Sequence, residues 1–451
     1  MTFDMETTPK PKYKVVTWGC QMNEEDSEQM GLYLQEMGYE PASSVEDADL
    51  VLLNTCSVRK KPEDKAFSLL GELRLAKMDK PNLIIGVCGC MAQLRSDEIK
   101  RRAPFVDFVI GTANISTLPA LLQDVRQTRR MALRLELPER KGGVVTDVPQ
   151  RKVNRVAKLK AFVPIQYGCD KFCTFCIVPT TRGRERSRTT EDILEEVRLL
   201  AERGAKEVTL LGQTVNSYGK NLLGGRVPFA QLLKSISEIE SIERIRFMSP
   251  YPRDFSDDLI SQIADNSKVM EHVHLPLQSG DDEMLQIMKR VYTVAEFEII
   301  VNKLREQAPE IAITTDIIVG FPGETDEQFE HTLDIIRRVR FDAAFMFSYS
   351  PRPGTKAAEF EDQVPNEVKS QRLQRLIELQ NGISCEINAS QVGNIYEVLV
   401  EGVSHKDKSR YSGFTRQNKT MNFKAGRELA GKIVKVRATE SQLWGYYGEL
   451  V

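Results

Sequence analysis

Three cysteines stand within eight residues in Gly168-Cys169-Asp170-Lys171-Phe172-Cys173-Thr174-Phe175-Cys176, a C-x3-C-x2-C spacing that follows a short apolar run, Ala161 to Ile165, which reads as a strand. Thiolates packed this tightly in a polar and aromatic loop can face one inorganic centre, because each ligand must be deprotonated and held within bonding distance. Two centres compete. Structural zinc closes a tetrahedron with four protein ligands, usually as two separated pairs, and no fourth Cys or His lies near this triad in the sequence. A four-iron cubane held by Cys169, Cys173 and Cys176 leaves one iron open for a small molecule, which suits a lone trio.

Three further cysteines sit where elements change. Lys14 to Trp18 reads as a strand leading into Gly19-Cys20-Gln21-Met22-Asn23, with a helix from Asp26 to Met37. Asp49 to Leu53 leads into Asn54-Thr55-Cys56-Ser57, with a helix from about Pro62, and Leu83 to Val87 leads into Cys88-Gly89-Cys90-Met91-Ala92-Gln93, with Ser96 as the N-cap of the next helix. A fourth strand, Phe105 to Ile110, ends at Gly111. Alternating strands and helices predict a doubly wound parallel sheet, whose ligands lie outside the carboxyl ends of the strands. One cysteine in such a place is most simply a small buried residue. Three successive strands each delivering one to the same edge make Cys20, Cys56 and Cys90 candidate ligands of a second cluster. Cys88 and Cys385 read as packing.

The chain of 451 residues exceeds the about 250 to 300 that one core organises, so two to four domains are expected. A hydrophobic fraction of 41% and a charged fraction of 28% are those of a soluble globular protein. No apolar run reaches the roughly 20 residues needed to span a bilayer, which predicts no membrane association. The stretch Met1 to Lys12 is polar and lacks an apolar signal core, which argues against secretion, and eight cysteines are too sparse for a disulfide scaffold. A reducing cytoplasm with metal-binding thiols fits better. Net charge is only −2, yet Arg126 to Lys160 carries +8 and Asn394 to Val451 carries +4, which leaves −14 on the remainder. Such asymmetry suggests that a polyanion meets two surfaces.

These patterns divide the chain into residues 12–127, a basic linker at 128–158 broken by Pro138, Gly142, Gly143 and Pro149, a core at 159–388, and a terminal domain at 389–451. The linker is either a solvated charge run or a nucleic-acid strap. Strands near Phe162, Val208, Ile245, Val273, Ile313 and Phe345, each followed by a helix, predict a partial (β/α)6 barrel with its active loops at the carboxyl ends of the strands. Polar or glycine-bearing clusters on that rim make Gly212, Gln213, Asn216, Ser249, Gln278 and Asp316 candidate cofactor contacts. In the last section Ile395 to Gly402, Ser409 to Phe414, Thr420 to Phe423 and Lys432 to Ala438 read as strands of a small antiparallel β-barrel. Its basic loop with Arg416, Asn418 and Lys419, and its aromatics Tyr411 and Phe414, suit nucleic acid; a structural cap is the alternative.

Thr17 to Asn23, Leu53 to Arg59, Gly89 to Gln93, Tyr167 to Cys176 with Arg182 to Arg188, Leu275 to Gly280, Thr315 to Glu324 and Phe347 to Thr355 together resemble the methylthiotransferases of the radical S-adenosylmethionine (SAM) superfamily. The resemblance covers nearly the whole chain, and its end is similar to a TRAM domain, an RNA-binding barrel. Gln21-Met22-Asn23 and Gly183-Arg184-Glu185-Arg186 resemble the branch that methylthiolates C2 of N6-isopentenyladenosine beside the tRNA anticodon. One departure is Tyr251 in Ser249-Pro250-Tyr251-Pro252, where the tRNA enzymes of the family usually carry His.

The resemblance implies two 4Fe–4S clusters, on Cys169, Cys173 and Cys176 and on Cys20, Cys56 and Cys90, with SAM bound at the open iron of the first. It also implies a tRNA anticodon stem-loop as substrate, an electron donor such as a flavodoxin, a sulfur donor and a monomeric enzyme. The chemistry agrees, because adenine C2–H is neither acidic nor electrophilic and its replacement needs a cofactor-derived radical. With four His and no Ser–His–Asp order, hydrolysis has no obvious machinery, and no acid–base residue is singled out. The alternatives are methylthiolation of threonylcarbamoyladenosine in tRNA and a non-radical iron–sulfur RNA-binding protein.

Overall fold

Short β-branched runs punctuated by amphipathic helices build most of this chain, and a computed structural model describes residues 10–57, 60–139, 148–149, 151–153, 158–222 and 224–451. Two compact units result. The first holds the described residues of 1–155 with 167–170 and 176–186; the second holds those of 156–166, 171–175 and 187–451.

In the first unit the order is β1 (Lys12–Trp18), α1 (Gln21–Glu36), β2 (Glu40–Pro41), β3 (Leu50–Thr55), α2 (Lys60–Asp79), β4 (Ile84–Cys88), α3 (Gly89–Arg102), β5 (Phe108–Ile110), α4 (Leu118–Thr128) and β6 (Ala132–Arg134). The strands form one parallel sheet in the order β2-β1-β3-β4-β5-β6. All six residues of β3 are buried, as expected of a parallel strand covered on both faces. Val51, Leu53, Ile85 and Val87 pack against Ala66 and Leu70 of α2 and Ile99 of α3. Leu50, Leu52, Phe108 and Ile110 pack against Met30 and Leu34 of α1 and Leu118, Leu121 and Leu122 of α4. The strand order reverses at β1, so the ends of β1 and β3 flank the switch point where doubly wound sheets bind ligands.

Local differences from the sequence expectation are informative. Helix α1 starts at Gln21, so Gln21-Met22-Asn23 is helical rather than loop, and α3 starts at Gly89, which puts Cys90 on a helix instead of a strand end. Ser96 is not an N-cap; it follows a kink at Arg95 (φ −112°, ψ 20°) inside α3. Ala132–Arg134, assigned by composition to the linker, adds an edge strand beside β5. Of the linker's charges, Arg151 pairs with Glu25 at 2.6 Å and Lys152 with Glu36 at 2.7 Å, while 140–147, 150 and 154–157 lie outside the described residues.

The second unit contains β7 (Lys160–Pro164); short strands β8 (Gln166–Tyr167) and β9 (Arg186–Ser187), with α5 (Val178–Arg182) between them, mark the crossings between the units. There follow α6 (Thr190–Glu202), β10 (Glu207–Leu211), α7 (Phe229–Ser237), β11 (Arg244–Phe247), α8 (Asp257–Asp265), β12 (His272–His274), α9 (Asp282–Ile287), α10 (Val294–Gln307), β13 (Ala312–Val319), α11 (Asp326–Val339), β14 (Ala343–Ser348) and α12 (Asn366–Ser390). Thr189, Ser256, Asp281, Thr293 and Thr325 start five of these helices by accepting from the amide three residues on. The six long strands are parallel, in the order β7-β10-β11 and β12-β13-β14, joined by a single bridge between Ile245 and Val269. This is the expected partial barrel. Along β13, Ile313, Thr315, Ile317 and Val319 are buried, while Thr314, Asp316 and Ile318 alternate onto the more open inner face.

The last five strands, β15 (Ile395–Val403), β16 (Tyr411–Thr415), β17 (Thr420–Lys424), β18 (Ile433–Gln442) and β19 (Gly445–Leu450), close a barrel in the order β15-β16-β17-β19-β18. The expected barrel is antiparallel throughout, whereas β17 and β19 run parallel. An odd number of strands cannot alternate direction around a closed ring, so one pair must be parallel. Strand β19 escapes the sequence pattern because Gly-Tyr-Tyr-Gly-Glu-Leu lacks apolar alternation.

Within this unit the small barrel is tied to the half-barrel by buried arginines. Arg246 donates to the Thr415 and Arg416 carbonyls at 2.8 and 3.0 Å, and Arg244 to the Phe414 carbonyl at 2.8 Å. Arg416 pairs with Glu271 at 2.6 Å, and buried Lys419 with Asp342 at 2.9 Å. These two loop cations are thus each held by a carboxylate of the half-barrel, Tyr411 and Phe414 are half-buried, and Asn418 is exposed. No helix among the described residues is long and apolar enough to cross a membrane.

Candidate active site

Cys20 ends the turn after β1 and caps α1, with Asn23 Oδ1 accepting from its amide at 3.3 Å and facing its sulfur at 3.4 Å. Asn54, on β3, locks this turn: it donates to the Asn23 carbonyl and to Ser27 Oγ, both at 2.8 Å, and accepts from Asn23 Nδ2 at 3.1 Å. Two residues on comes Cys56, its amide held by the Trp18 carbonyl at 2.9 Å. The chain then enters α3 through Gly89, at φ +85°, where a Cβ would stand 2.3 Å from Asn54 Oδ1. Only glycine fits there, and it brings buried Cys90 into the first turn of α3.

The three thiols thus meet at the edge of one sheet. A hydrogen bond from Cys56 lowers the Cys20 thiol to about 6 against its burial, with further help from the Arg182 charge. Burial raises Cys90, opposed by the same arginine. Arg182 is itself buried and paired with Asp26 at 2.7 Å. Against the burial penalty, Asp26, Cys90 and Cys20 hold it charged. Among the described residues no group of three or more His, Cys, Asp or Glu side chains is arranged to hold a metal ion. Soft sulfur beside two helix N-termini and a buried cation is a setting in which thiolates can be held, with burial opposing this at Cys90. Cys88 is fully buried in apolar packing as expected, whereas Cys385 is exposed on α12 and does not pack.

The C-x3-C-x2-C loop is shared, with Cys169 and Cys176 in the first unit and Cys173 in the second. In the first, Gly168 (φ +73°) has no room for a Cβ, which would meet the Arg184 carbonyl at 2.2 Å. The Cys169 amide bonds the Gly183 carbonyl at 3.2 Å, and Asp170 accepts from Arg184 Nε at 2.7 Å and the Glu185 amide at 3.1 Å. In the second unit, Arg290 Nη1 lies 3.5 Å from the buried Cys173 sulfur. Its guanidinium carbon stands 4.5 and 5.1 Å from the Tyr251 and Tyr292 ring centres. It also donates to Tyr292 Oη at 2.8 Å and to the Pro276 carbonyl at 3.0 Å. Tyr251 also faces Lys171 at 4.6 Å, and burial raises its phenol pKa. It acts as a wall for cations. Neither Arg182 nor Arg290 stands out in sequence as a site residue, because a buried arginine looks like any surface one until its partners are known.

The rim residues divide. Gly212 is closely packed, since a Cβ there would stand 3.1 Å from a Val215 methyl, and the Gln213 Oε1 atom is buried without a hydrogen-bond partner. Asn216 is committed: it donates to the Tyr251 carbonyl at 2.8 Å and accepts from the Tyr251 amide at 2.7 Å, clipping two rim loops together. Ser249 (φ +59°) and Gln278 (φ +77°) occupy left-handed backbone positions. Gln278 is joined to β13 through backbone bonds to Asp316 at 2.8 Å and Ile318 at 2.9 Å. Asp316, expected on the rim, instead stands in the middle of β13 because the strand runs on to Val319, and it faces the inside of the half-barrel with Oδ2 3.3 Å from His274 Nε2.

Comparison with known proteins agrees with this geometry. Residues 163–336 match the radical SAM superfamily, residues 12–111 the uncharacterized protein family UPF0004, and residues 389–451 the TRAM domain. The chain is 48% identical over 441 residues to the tRNA-2-methylthio-N(6)-dimethylallyladenosine synthase of Carboxydothermus hydrogenoformans, covering 97% of this chain and 99% of that one. It is 48% identical over 450 residues to the enzyme of the same name from Acetivibrio thermocellus, covering 99% and 92%. Among solved structures, the radical S-adenosylmethionine methyltransferase TsrM from Kitasatospora setae, with cobalamin and a 4Fe–4S cluster bound, superposes with a TM-score of 0.58 at 15% identity over 78% of this chain and 77% of that one, a likeness of fold. Radical SAM proteins use SAM and a 4Fe–4S cluster, and this chain belongs to the tRNA-2-methylthio-N(6)-dimethylallyladenosine synthase family of radical SAM methylthiotransferases.

Proposed function

We propose that this protein replaces the C2 hydrogen of N6-dimethylallyladenosine, next to the tRNA anticodon, with a methylthio group. The observation that carries the reading is the second cysteine trio: Cys20, Cys56 and Cys90 converge beside buried Arg182, in addition to the triad at Cys169, Cys173 and Cys176. Radical chemistry alone needs only the triad; a second trio provides a separate place for sulfur.

The residues fit both groups. Cys169, Cys173 and Cys176 would hold a 4Fe–4S cluster with one open iron, and Cys20, Cys56 and Cys90 a second. With SAM bound, such a centre supplies one-electron cleavage of SAM and a carbon radical able to take an unactivated hydrogen. Arg290 keeps a positive charge beside Cys173 and offsets the charge of thiolate ligands. Arg182 does the same for Cys20 and Cys90. Gly212, Gln213, Ser249 and Gln278 line strand ends where SAM's polar groups would be held, with Asp316 facing them from mid-strand on β13, and Asn216 positions the loop that carries Tyr251. A reductant such as a flavodoxin and a sulfur donor must accompany the reaction, because it consumes electrons and sulfur. The monomeric chain would work in the cytoplasm.

The test is anaerobic turnover of the iron-loaded protein with reductant, SAM and anticodon stem-loop RNA carrying dimethylallyladenosine or threonylcarbamoyladenosine, with nucleosides read by mass spectrometry. A methylthiolated product from the first RNA is expected. Product from only the second, or SAM cleavage with neither RNA modified, would overturn the proposal.

A further inference from the structure

The inner face of the half-barrel is mostly polar. Thr209 of β10, Arg246 of β11, His272 and His274 of β12, and Thr314 and Asp316 of β13 present hydroxyls, charge and imidazoles there. Ile318 of β13 is apolar there but half-buried, and one apolar side chain stands far more open. Phe345, in the middle of β14, is 51% exposed, while its neighbour Ala344 is buried on the opposite face. Its backbone is in register with Asp316 on β13, and its ring contacts His274, two strands away, edge-on at 5.6 Å. A contact that skips a strand requires both rings to lean into a concave surface, since strands are spaced by about 4.8 Å. Among the described residues Phe345 is the exposed large apolar side chain of that face.

A solitary exposed phenylalanine on a convex surface needs no explanation. Inside a concavity beside a carboxylate it is an apolar contact awaiting a partner, and the proposed substrate brings one. What distinguishes dimethylallyladenosine from adenosine is a branched five-carbon apolar group on N6. Polar walls cannot select for it, because they gain nothing from hydrocarbon. We propose that Phe345 is a specificity-determining residue whose exposed ring takes the N6-dimethylallyl group of the target adenosine, with His274 fixing the ring from its edge. The inference rests on the function proposed above and adds to it the residue that reads the substrate's side chain.

The test compares wild type, Phe345→Ala and Phe345→Leu as full-length, iron-loaded proteins. Dissociation constants are measured for two anticodon stem-loops identical except for dimethylallyladenosine or plain adenosine at the target position, and kcat and KM are measured for the first. Wild type should prefer the dimethylallylated RNA. Phe345→Ala should lose about tenfold or more of that preference, as expected when at least a methylene's worth of apolar contact is removed. Phe345→Leu, which restores an apolar wall, should recover most of it. A merely structural role would weaken both RNAs alike and leave the ratio unchanged, which overturns the inference. So would a Phe345→Ala protein that loses SAM affinity while keeping the RNA preference. If wild type itself neither prefers nor modifies the dimethylallylated RNA, the proposed function fails, and this inference falls with it.

Discussion

Replacing Arg182 by Met removes the cation that faces Cys20 and Cys90 and leaves Asp26 without its closest partner. Both side chains of the pair are 5% exposed and 2.7 Å apart. Breaking a buried pair from one side costs about 3 to 5 kcal/mol, because the remaining charge is stranded away from water. Arg151 also faces Asp26, so the lower end of that range applies, about 3 kcal/mol or roughly a hundredfold in the folding constant of the first unit. The two tryptophans divide conveniently: Trp18 lies in the first unit and Trp444 in the second, where it is 58% exposed. In a Trp444→Phe background, urea unfolding of the metal-free protein followed by Trp18 fluorescence reports the first unit. Arg182→Met should lower its midpoint, and the double variant Asp26→Leu with Arg182→Met should recover much of the loss, since an apolar pair of similar volume replaces the charges. A cost below about 1 kcal/mol, the value of an exposed pair, or a double variant no better than the single, would refute the reasoning.

In the metal-free protein Cys20 should alkylate with half-maximal rate near pH 6 rather than at the ordinary 9.0, while buried Cys88 stays unreactive. Because the folded value is depressed, the stabilisation from the Cys20 thiolate is complete above pH 9.0 and is lost as pH falls through about 6. An iodoacetamide profile by mass spectrometry with its midpoint near 9.0 would contradict this. Changing Cys169, Cys173 and Cys176 to Ala should halve the iron content and abolish SAM cleavage, whereas changing Cys20, Cys56 and Cys90 should halve the iron, abolish sulfur insertion and leave some SAM cleavage; loss of all iron in either case would refute independent clusters. Arg246→Ala should loosen the small barrel, because it strands Glu207, 1% exposed and 3.2 Å from the guanidinium, and removes two bonds to the Thr415 and Arg416 carbonyls. Limited proteolysis should then cut residues 391–451 faster, with Glu207→Gln in the same chain restoring resistance; equal cleavage rates would show that these arginines do not anchor the barrel.

Wherever apolar periodicity runs unbroken, the architecture was legible in the sequence. The strands around Leu50–Thr55 and Ala312–Val319 announce themselves because strands covered by helices must be continuously or alternately apolar. Elements held by pairing alone stayed hidden: β2 is two residues long, β6 three, and β19 is rich in glycine and tyrosine. Helix starts lie earlier than periodicity suggests at Cys20 and Cys88, because both caps are cysteines instead of the usual Ser, Thr or Asp.

For the site the division is similar. Cysteine types and spacings carry metal chemistry by themselves, so the six candidate ligands could be named before any fold was known. The partners of the arginines could not. Arg182 lies 156 positions from Asp26, Arg290 lies 117 from Cys173, and Arg246 lies 169 from Thr415. A charge reads as a solvated surface group until the tertiary structure shows what it faces, as with Arg416 against Glu271 and Lys419 against Asp342. The donor type of a candidate ligand is local chemistry, which the chain carries in its residues, whereas burial and pairing are relations between distant segments, which exist only once the sheets have brought them together.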